Sequence, residues 1–357
     1  MKKMKISSDN MSLLSKIKEK ILSKSDSYNF YKDEYHKKEK RYAELNKKIE
    51  KNHKEYVKFT KQNKKQEKSN YNLFNTLFLY YDLKPKGLLN DVKQFCIELL
   101  DFVDNVCKKH DIDYWIDYGS LLGAVRHEGF IPWDDDMDIG MVRKDFEKFI
   151  DVIDEEIKNN NLEGILNIRK VGKNAKGYIH TFIQVAYYVP DEKNPKNRIA
   201  LSGIDIFPYD FIPSYDDDTT EKFGNAKIDY QDRLKSGMSK QEAIELYIDE
   251  FNIDRNDGNY VIPAIENIRG PNNNYKLFFY KKEDIFPLIN VEICGKEYPG
   301  PNNSDIYLKS LYSDKYMQLP QVVHLHQRLP NLSKYENIRE LMKIHLSSIR
   351  EINENFR

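Results

Sequence analysis

An α+β body behind a long, basic helical arm is the fold class predicted here, and three observations predict it. Short aromatic or β-branched runs alternate with helical patterns between residues 88 and 352. Residues 1–84 contain neither Gly nor Pro and carry a seven-residue apolar period. Charge is split between the two parts: residues 1–70 hold 21 Lys and Arg against 10 Asp and Glu, and the rest hold 36 against 47, although the whole chain is neutral. The expected organisation is an arm over 1–84 and a folded domain over 85–357.

Composition narrows the class further. Hydrophobic residues make up 40% of the 357, enough for a sizeable core. Cys96, Cys107 and Cys294 form no CxxC pair, which excludes a zinc ribbon and a disulfide scaffold. A reducing cytoplasm is the expected location. The basic N-terminus lacks the apolar run of a signal peptide. No window approaches the roughly 20 apolar residues of a membrane span, so attachment is expected at most at the inner membrane face.

In the arm, Tyr28, Tyr35, Tyr42, Ile49 and Tyr56 share one heptad position. Tyr31, Leu45 and Phe59 follow three residues later, where Lys38 and Asn52 interrupt. This spacing makes one apolar seam on a long helix, either packed on its own chain or forming a coiled coil that makes the protein a homo-oligomer. Lys84-Pro85-Lys86-Gly87 should break that helix. Leu89, Val92, Cys96, Leu99, Val103 and Val106 then form one stripe of a core-facing helix ending near His110. Tyr114–Tyr118 reads as a strand, Gly119-Ser120 as a turn, and Leu121–His127 as a short helix. Asp136–Met141 alternates as a second strand, and Lys144–Ile157 is an amphipathic helix. Leu166–Val171 and Tyr178–Val189 read as a hairpin, and Ile204–Phe207 as a short strand stopped by Pro208. Residues 215–255 are mostly helical. Residues 256–305 are loop-rich, with strands near Lys276–Tyr280 and Val291–Ile293, and Tyr335–Ile352 closes the chain as a helix.

Three features carry chemistry. Gly119-Ser120, at a strand-to-helix turn, offers free amides and a hydroxyl to an anion such as phosphate. In Asp134-Asp135-Asp136-Met137-Asp138, side chains two apart on a strand share a face, so Asp136 and Asp138 project together while Met137 and Ile139 turn inward. Two such carboxylates repel unless a cation lies between them, and hard oxygen ligands suit Mg²⁺ or Mn²⁺. Asp134 and Asp135 are expected to shape the entry loop. Asp205, alone between Ile204 and Ile206, needs a partner or a metal if buried. His324 and His326 could share a face, but no third ligand is evident.

A Gly-Ser turn, an Asp-x-Asp strand some fifteen residues later, and a lone strand Asp together make up the layout of the nucleotidyltransferase fold. The stretch Gly119-Ser-Leu-Leu-Gly-Ala-Val-Arg126, with Ile131-Pro-Trp-Asp-Asp-Asp-Met-Asp-Ile-Gly140, closely resembles the LicD family, which includes the fukutin-like glycan phosphotransferases. The resemblance continues at Ile204–Pro208 and Tyr298–Pro320 and leaves out the arm. It implies transfer of phosphocholine, or a related phospho-alcohol, from a CDP-linked donor to a sugar of a surface glycan such as lipopolysaccharide or teichoic acid. It implies a catalytic metal set of Asp136, Asp138 and Asp205, and a phosphate-binding turn at Gly119 and Ser120. Arg126 and Trp133 match motif positions. Arg126 would pair a phosphate or bridge the Asp cluster, and Trp133 would wall the pocket or simply pack. His127 is a candidate acid or phosphate partner. Tyr312, in the C-terminal motif, is followed by Ser313 where the family has Gly, which puts acceptor contacts there in question.

Two rivals remain open. True nucleotidyl transfer from an NTP would use the same carboxylates. A non-catalytic interaction protein would act through the basic arm. That arm could also draw the chain to anionic membrane surfaces, where lipid-linked sugar acceptors sit. The acidic body argues against nucleic acid as a partner.

Overall fold

The computed structural model describes residues 13–81, 84–169, 182–191, 193–194, 196–268, 277–320, 323 and 328–356. The chain divides into two compact units, Met1–Leu73 and Phe74–Arg357. In the first, α1 spans Leu13–Leu22 and α2 begins at Asp26 and runs for 55 residues to Tyr80 with no buried residue. No described helix is long and apolar enough to cross a membrane.

The second unit is mixed α and β. Gly87, at φ 63°, turns the chain into α3 (Leu88–Lys109), where the break after the arm is expected. Along the predicted stripe of α3, Val92, Cys96, Leu99, Val103 and Val106 are all 0% exposed, while Leu89 in its first turn is half-buried. A two-residue strand β1 (Trp115–Ile116) leads into α4 (Tyr118–His127), and β2 (Met137–Val142) into α5 (Arg143–Asn159). Then follow β3 (Leu166–Arg169), β4 (Ile183–Pro190), β5 (Arg198–Ile212), α6 (Thr219–Lys235), α7 (Lys240–Phe251), β6 (Tyr260–Pro263) and β7 (Tyr280–Lys281). These seven strands form one sheet in the order β1-β2-β5-β4-β3, with β6 paired to β5 and β7 to β6. The β2–β5 pair is parallel and its neighbours are antiparallel. The chain ends with α8 (Lys282–Ile285), a hairpin of β8 (Ile289–Ile293) and β9 (Lys296–Gly300), α9 (Ser304–Tyr312), α10 (Arg328–Leu332) and α11 (Ile338–Glu354).

One boundary differs from expectation for a clear reason. Pro208 was expected to stop the strand after Phe207, yet β5 runs through it to Ile212. Pairing of β5 with β4 ends at Ile206, and pairing with β6 starts at Tyr209. Pro208 sits at this hand-over, where a missing N–H is tolerated, and its carbonyl still accepts from Ala264 N at 3.0 Å. The hairpin of β3 and β4 forms as expected, with residues 170–181 of its predicted span outside the described residues. The strand predicted near Lys276–Tyr280 is confined to Tyr280–Lys281, with Lys276 outside the described residues.

Beneath the C-terminal half of β5 lies a buried charge cluster. Arg143, at the start of α5, donates to both oxygens of Asp210 at 2.5 and 3.0 Å and to both of Glu266 at 3.0 and 2.7 Å. All three are at most 2% exposed. Burial alone would raise the Glu266 carboxyl, but Arg143 outweighs it and holds Glu266 at about 2. Lys227 of α6 adds a second cation by donating to the carbonyls of Ile265 and Glu266, both at 2.8 Å. Replacing Arg143 by Met should therefore leave two buried carboxylates with Lys227 as the cation of the cluster, breaking the pairing of Asp210, and cost about 3–5 kcal/mol in urea unfolding. A loss under about 1 kcal/mol would show that the cluster is not paired as described.

Candidate active site

The site is built where α4 and β2 meet. Asp117 caps α4 by accepting from Tyr118 N at 2.6 Å, and its own amide donates to the carbonyl of Asp138 at 3.0 Å. Ser120, in the first turn of α4, accepts from Asp138 N through its hydroxyl at 2.8 Å. Both backbone groups of Asp138 are thus tied to the α4 N-terminus. Tyr118 holds a left-handed backbone, φ 39°, immediately before Gly119.

The carboxylates gather around this turn. In the parallel register, Asp138 of β2 lies directly beside Asp205 of β5. Met137, Ile139, Ile204 and Ile206 are buried on the opposite face, the alternation expected from the sequence. A Cβ placed on Gly119 would lie 3.0 Å from Asp134 Oδ2 and 3.8 Å from Asp138 Oδ2, so glycine leaves a small cradle bordered by two carboxylate oxygens. Asp134, Asp135 and Asp136 each offer an oxygen, all within 4.8 Å of one another. Burial, then Asp136, Asp205, Asp134 and Asp117, drives the Asp138 carboxyl far above its usual range. An all-oxygen donor set that repels itself this strongly fits a hard divalent cation.

Arg126, His127, Trp133 and Tyr312 each have their own surroundings. Arg126 donates to the carbonyls of Tyr316 and Gln318 at 2.8 and 3.1 Å and to His127 Nε2 at 3.0 Å. These bonds tie α4 to the segment after α9. Burial, then Arg126 and Lys93, lowers His127 to about 4, so the imidazole is neutral at pH 7. Trp133 packs edge-to-face on Phe78 at 5.3 Å. Tyr312 is 40% exposed, and burial, then Asp138, Asp117 and Asp134, raises its phenol. Asp135, expected in the entry loop, is 3% exposed and accepts from Leu329 N at 3.1 Å, capping α10. His324 and His326 lie outside the described residues.

Three further residues have no clear signal in the sequence. Gln184 of β4 donates to Asp205 Oδ1 at 2.5 Å. Arg328 donates to the Asp135 carbonyl at 2.5 Å. Its burial disfavours the charge, but Cys96, Asp136, Asp135 and Asp205 outweigh that and raise the guanidinium, which makes it a cationic neighbour of the cluster beside Lys93. Asp117 is fully buried, accepting from Tyr209 OH at 2.6 Å and Tyr307 OH at 2.8 Å.

Asp117 sets a measurable pH dependence. Burial raises its carboxyl to about 6, against the hydrogen bonds from Tyr209, Tyr307 and Tyr118. The folded state therefore binds this proton more tightly than the unfolded chain. Its contribution is fully present below about pH 4 and is lost as pH rises through about 6. The amount at stake is about 3 kcal/mol, from 1.36 kcal/mol per unit. The difference in stability between Asp117→Asn and the parent chain should shift toward the variant as pH rises from 4 to 7 in urea titrations. A constant difference across that range would rule out Asp117 as the titrating group.

Comparison with known proteins agrees with this geometry. Residues 111–236 match the family model LicD/FKTN/FKRP, nucleotidyltransferase domain. The chain is 33% identical over 132 residues to the Lipopolysaccharide cholinephosphotransferase LicD of Haemophilus influenzae, covering 36% of this chain and 47% of that protein. It is 50% identical over 127 residues to an uncharacterised protein of Rickettsia prowazekii, covering 31% of this chain and 48% of that one. Ribitol 5-phosphate transferase FKRP of Homo sapiens is 44% identical over 48 residues, 13% of this chain and 10% of that protein. The chain thus spans about half the length of the bacterial relatives it matches. Over residues 111–236 it carries a nucleotidyltransferase domain of the LicD family.

Proposed function

We propose that this chain transfers a phospho-alcohol, phosphocholine first, from a CDP-linked donor to a sugar hydroxyl of a surface glycan, in a reaction that needs Mg²⁺ or Mn²⁺. The observation that carries the reading is the parallel register that sets Asp138 beside Asp205, with Asp136 and Asp134 crowding the same turn. Asp136, Asp138 and Asp205 are the residues assigned to hold the cation, with Asp134 at its edge. When bound, such an ion neutralises the donor diphosphate and makes CMP a better leaving group.

The protein's own groups do the rest. The first-turn amides of α4 at Gly119 and Ser120 have no intrahelical acceptor and suit a phosphate oxygen. The sugar oxygen forms the new bond to phosphorus as the bond to CMP breaks, and the hydroxyl proton leaves to a base or to water. Asp205 is favoured as a cation ligand over a base, because a carboxylate beside a divalent cation is a poor base unless its pKa is raised. The choice of phosphocholine rests on the cholinephosphotransferase relative, while ribitol phosphate, the group named for the FKRP relative, is the runner-up.

Asp138→Asn should lower cation-dependent turnover on the order of a hundredfold or more, the scale of losing one strong electrostatic stabiliser. In cation-free buffer the same variant should melt at a higher temperature, because a repelling charge is gone. A variant that kept full turnover would remove Asp138 from the site.

The donor is tested by calorimetric titration of CDP-choline, CDP-ribitol, CDP-glycerol, CTP and UTP with and without Mg²⁺, followed by assay of released nucleotide with sugar acceptors. CDP-choline should bind only with the cation and release CMP. Pyrophosphate from an NTP, with no CMP from any CDP-alcohol, would assign nucleotidyl transfer instead. Failure of every donor to bind would favour an interaction protein acting through the arm.

A further inference from the structure

The arm carries an inference independent of the catalytic reading. Along α2 the heptad seam is bare: Tyr35, Tyr42, Leu45, Ile49, Tyr56 and Phe59 are each between 52% and 67% exposed. No residue of this 55-residue helix is buried. A seam of large side chains at coiled-coil spacing, exposed from Tyr31 to Phe59, calls for a partner with the same spacing. We propose that this partner is α2 of a second copy of the chain, lying antiparallel, with residues 28–73 of one helix against 73–28 of the other.

Charge decides the direction. In a parallel, in-register pair, Lys38 would meet Lys38 of the other copy in the seam, and Glu34 would flank Glu39. Both juxtapositions repel. Turning one helix round, with the midpoint between Glu50 and Lys51, sets Lys38 opposite Asn63 instead. Tyr42 then faces Phe59, Leu45 faces Tyr56, and Tyr28 faces Leu73, each twice by symmetry. Along the flanks, Lys48 meets Glu55 and Lys32 meets Glu67, and no like charges oppose one another at the flanking positions. Lys38 is thus matched to a polar residue in the antiparallel pair, and Tyr31 and Tyr35 face Asn70 and Gln66, which their hydroxyls can meet. Asn52, which would face itself in the parallel pair, lies against Ile49, so the seam is a moderate rather than a tight zipper.

Disulfide trapping in the full chain tests both partner and direction. Cys294 is exposed and is first changed to Ser, while Cys96 and Cys107 are buried. The antiparallel pairing sets residue 45 opposite residue 56, and sets the two copies of residue 45 eleven residues apart, about 16 Å along the axis. Leu45→Cys with Tyr56→Cys in one chain should therefore form a covalent dimer on oxidation, and neither single substitution should. Sedimentation of the unsubstituted chain at micromolar concentration should give the mass of two chains. Tyr42→Lys with Tyr56→Lys should return it to one, with the near-ultraviolet circular dichroism of the body retained. A one-chain mass for the unsubstituted protein, an assembly larger than two, or a covalent dimer of Leu45→Cys alone would overturn the proposal.

Discussion

The parallel pairing of β2 with β5 is the constraint from which the site follows. It is the only parallel pairing among the described strands, and it brings together residues 67 positions apart in the chain. Side by side, Asp138 and Asp205 repel, so the register is sustained by what lies behind the carboxylates. Ile139, Ile204 and Ile206, each 0% exposed, lie on the buried face. Gly140 lets Trp115 cross β2: a Cβ there would meet Trp115 Cε2 at 2.5 Å. Trp115 in turn donates to Tyr307 OH at 2.9 Å, and Tyr307 donates to Asp117. The apolar side of the sheet and the cap of α4 are therefore one connected assembly, and it holds Asp138 where repulsion would otherwise move it.

Two acidic groupings in the same sheet are handled in opposite ways. Asp210, five residues after Asp205 on β5, shares a buried cluster with Glu266, and Arg143 and Lys227 supply as many cations as there are carboxylates. That cluster is internally balanced and has no need of a ligand. At the other end of the strand, Asp134 acts on Lys93 and Asp136 and Asp205 act on Arg328, while repulsion from Asp136, Asp205 and Asp134 raises the Asp138 carboxyl. Mutual repulsion that raises a carboxyl at one end, against direct pairing with Arg143 at the other, separates the two groupings, although both are acidic and both lie on β5.

Much of this was legible in the sequence because it depends on local geometry. The alternation that buries Met137 and Ile139 and turns Asp138 to the other face needs only the two-residue period of a strand, and the stripe of α3 needs only the helical period. Long-range partners gave no such signal. Asp117 reads as the end of an aromatic strand, and nothing nearby shows that Tyr307, 190 residues on, will donate to it. Arg328 follows a segment without periodicity, so its approach to Asp135 could not be anticipated. Arg126 stood in a motif beside the carboxylates and invited an electrostatic role, whereas its donors reach backbone carbonyls after α9. Pro208 misled for the opposite reason: a local rule held, but tertiary pairing placed the missing N–H at a change of neighbour.

The arm obeys different physics from the body. The strands and helices of Phe74–Arg357 are fixed by burial, with one core around α3 and the sheet and another between α6, α7 and β6. In α2 nothing is buried, so its helicity rests on chain propensity and on surface pairs such as Lys51 with Glu55 at 3.9 Å. Such pairs contribute only about 0.3–0.5 kcal/mol each. A helix of this length, rich in Lys and Glu and free of Gly and Pro, can form on propensity, but propensity does not explain a repeated row of Tyr, Ile and Phe facing water. Polar residues would serve the same helix at lower cost in solubility. The seam is therefore information about association, and it lies in residues that the matched region 111–236 does not include.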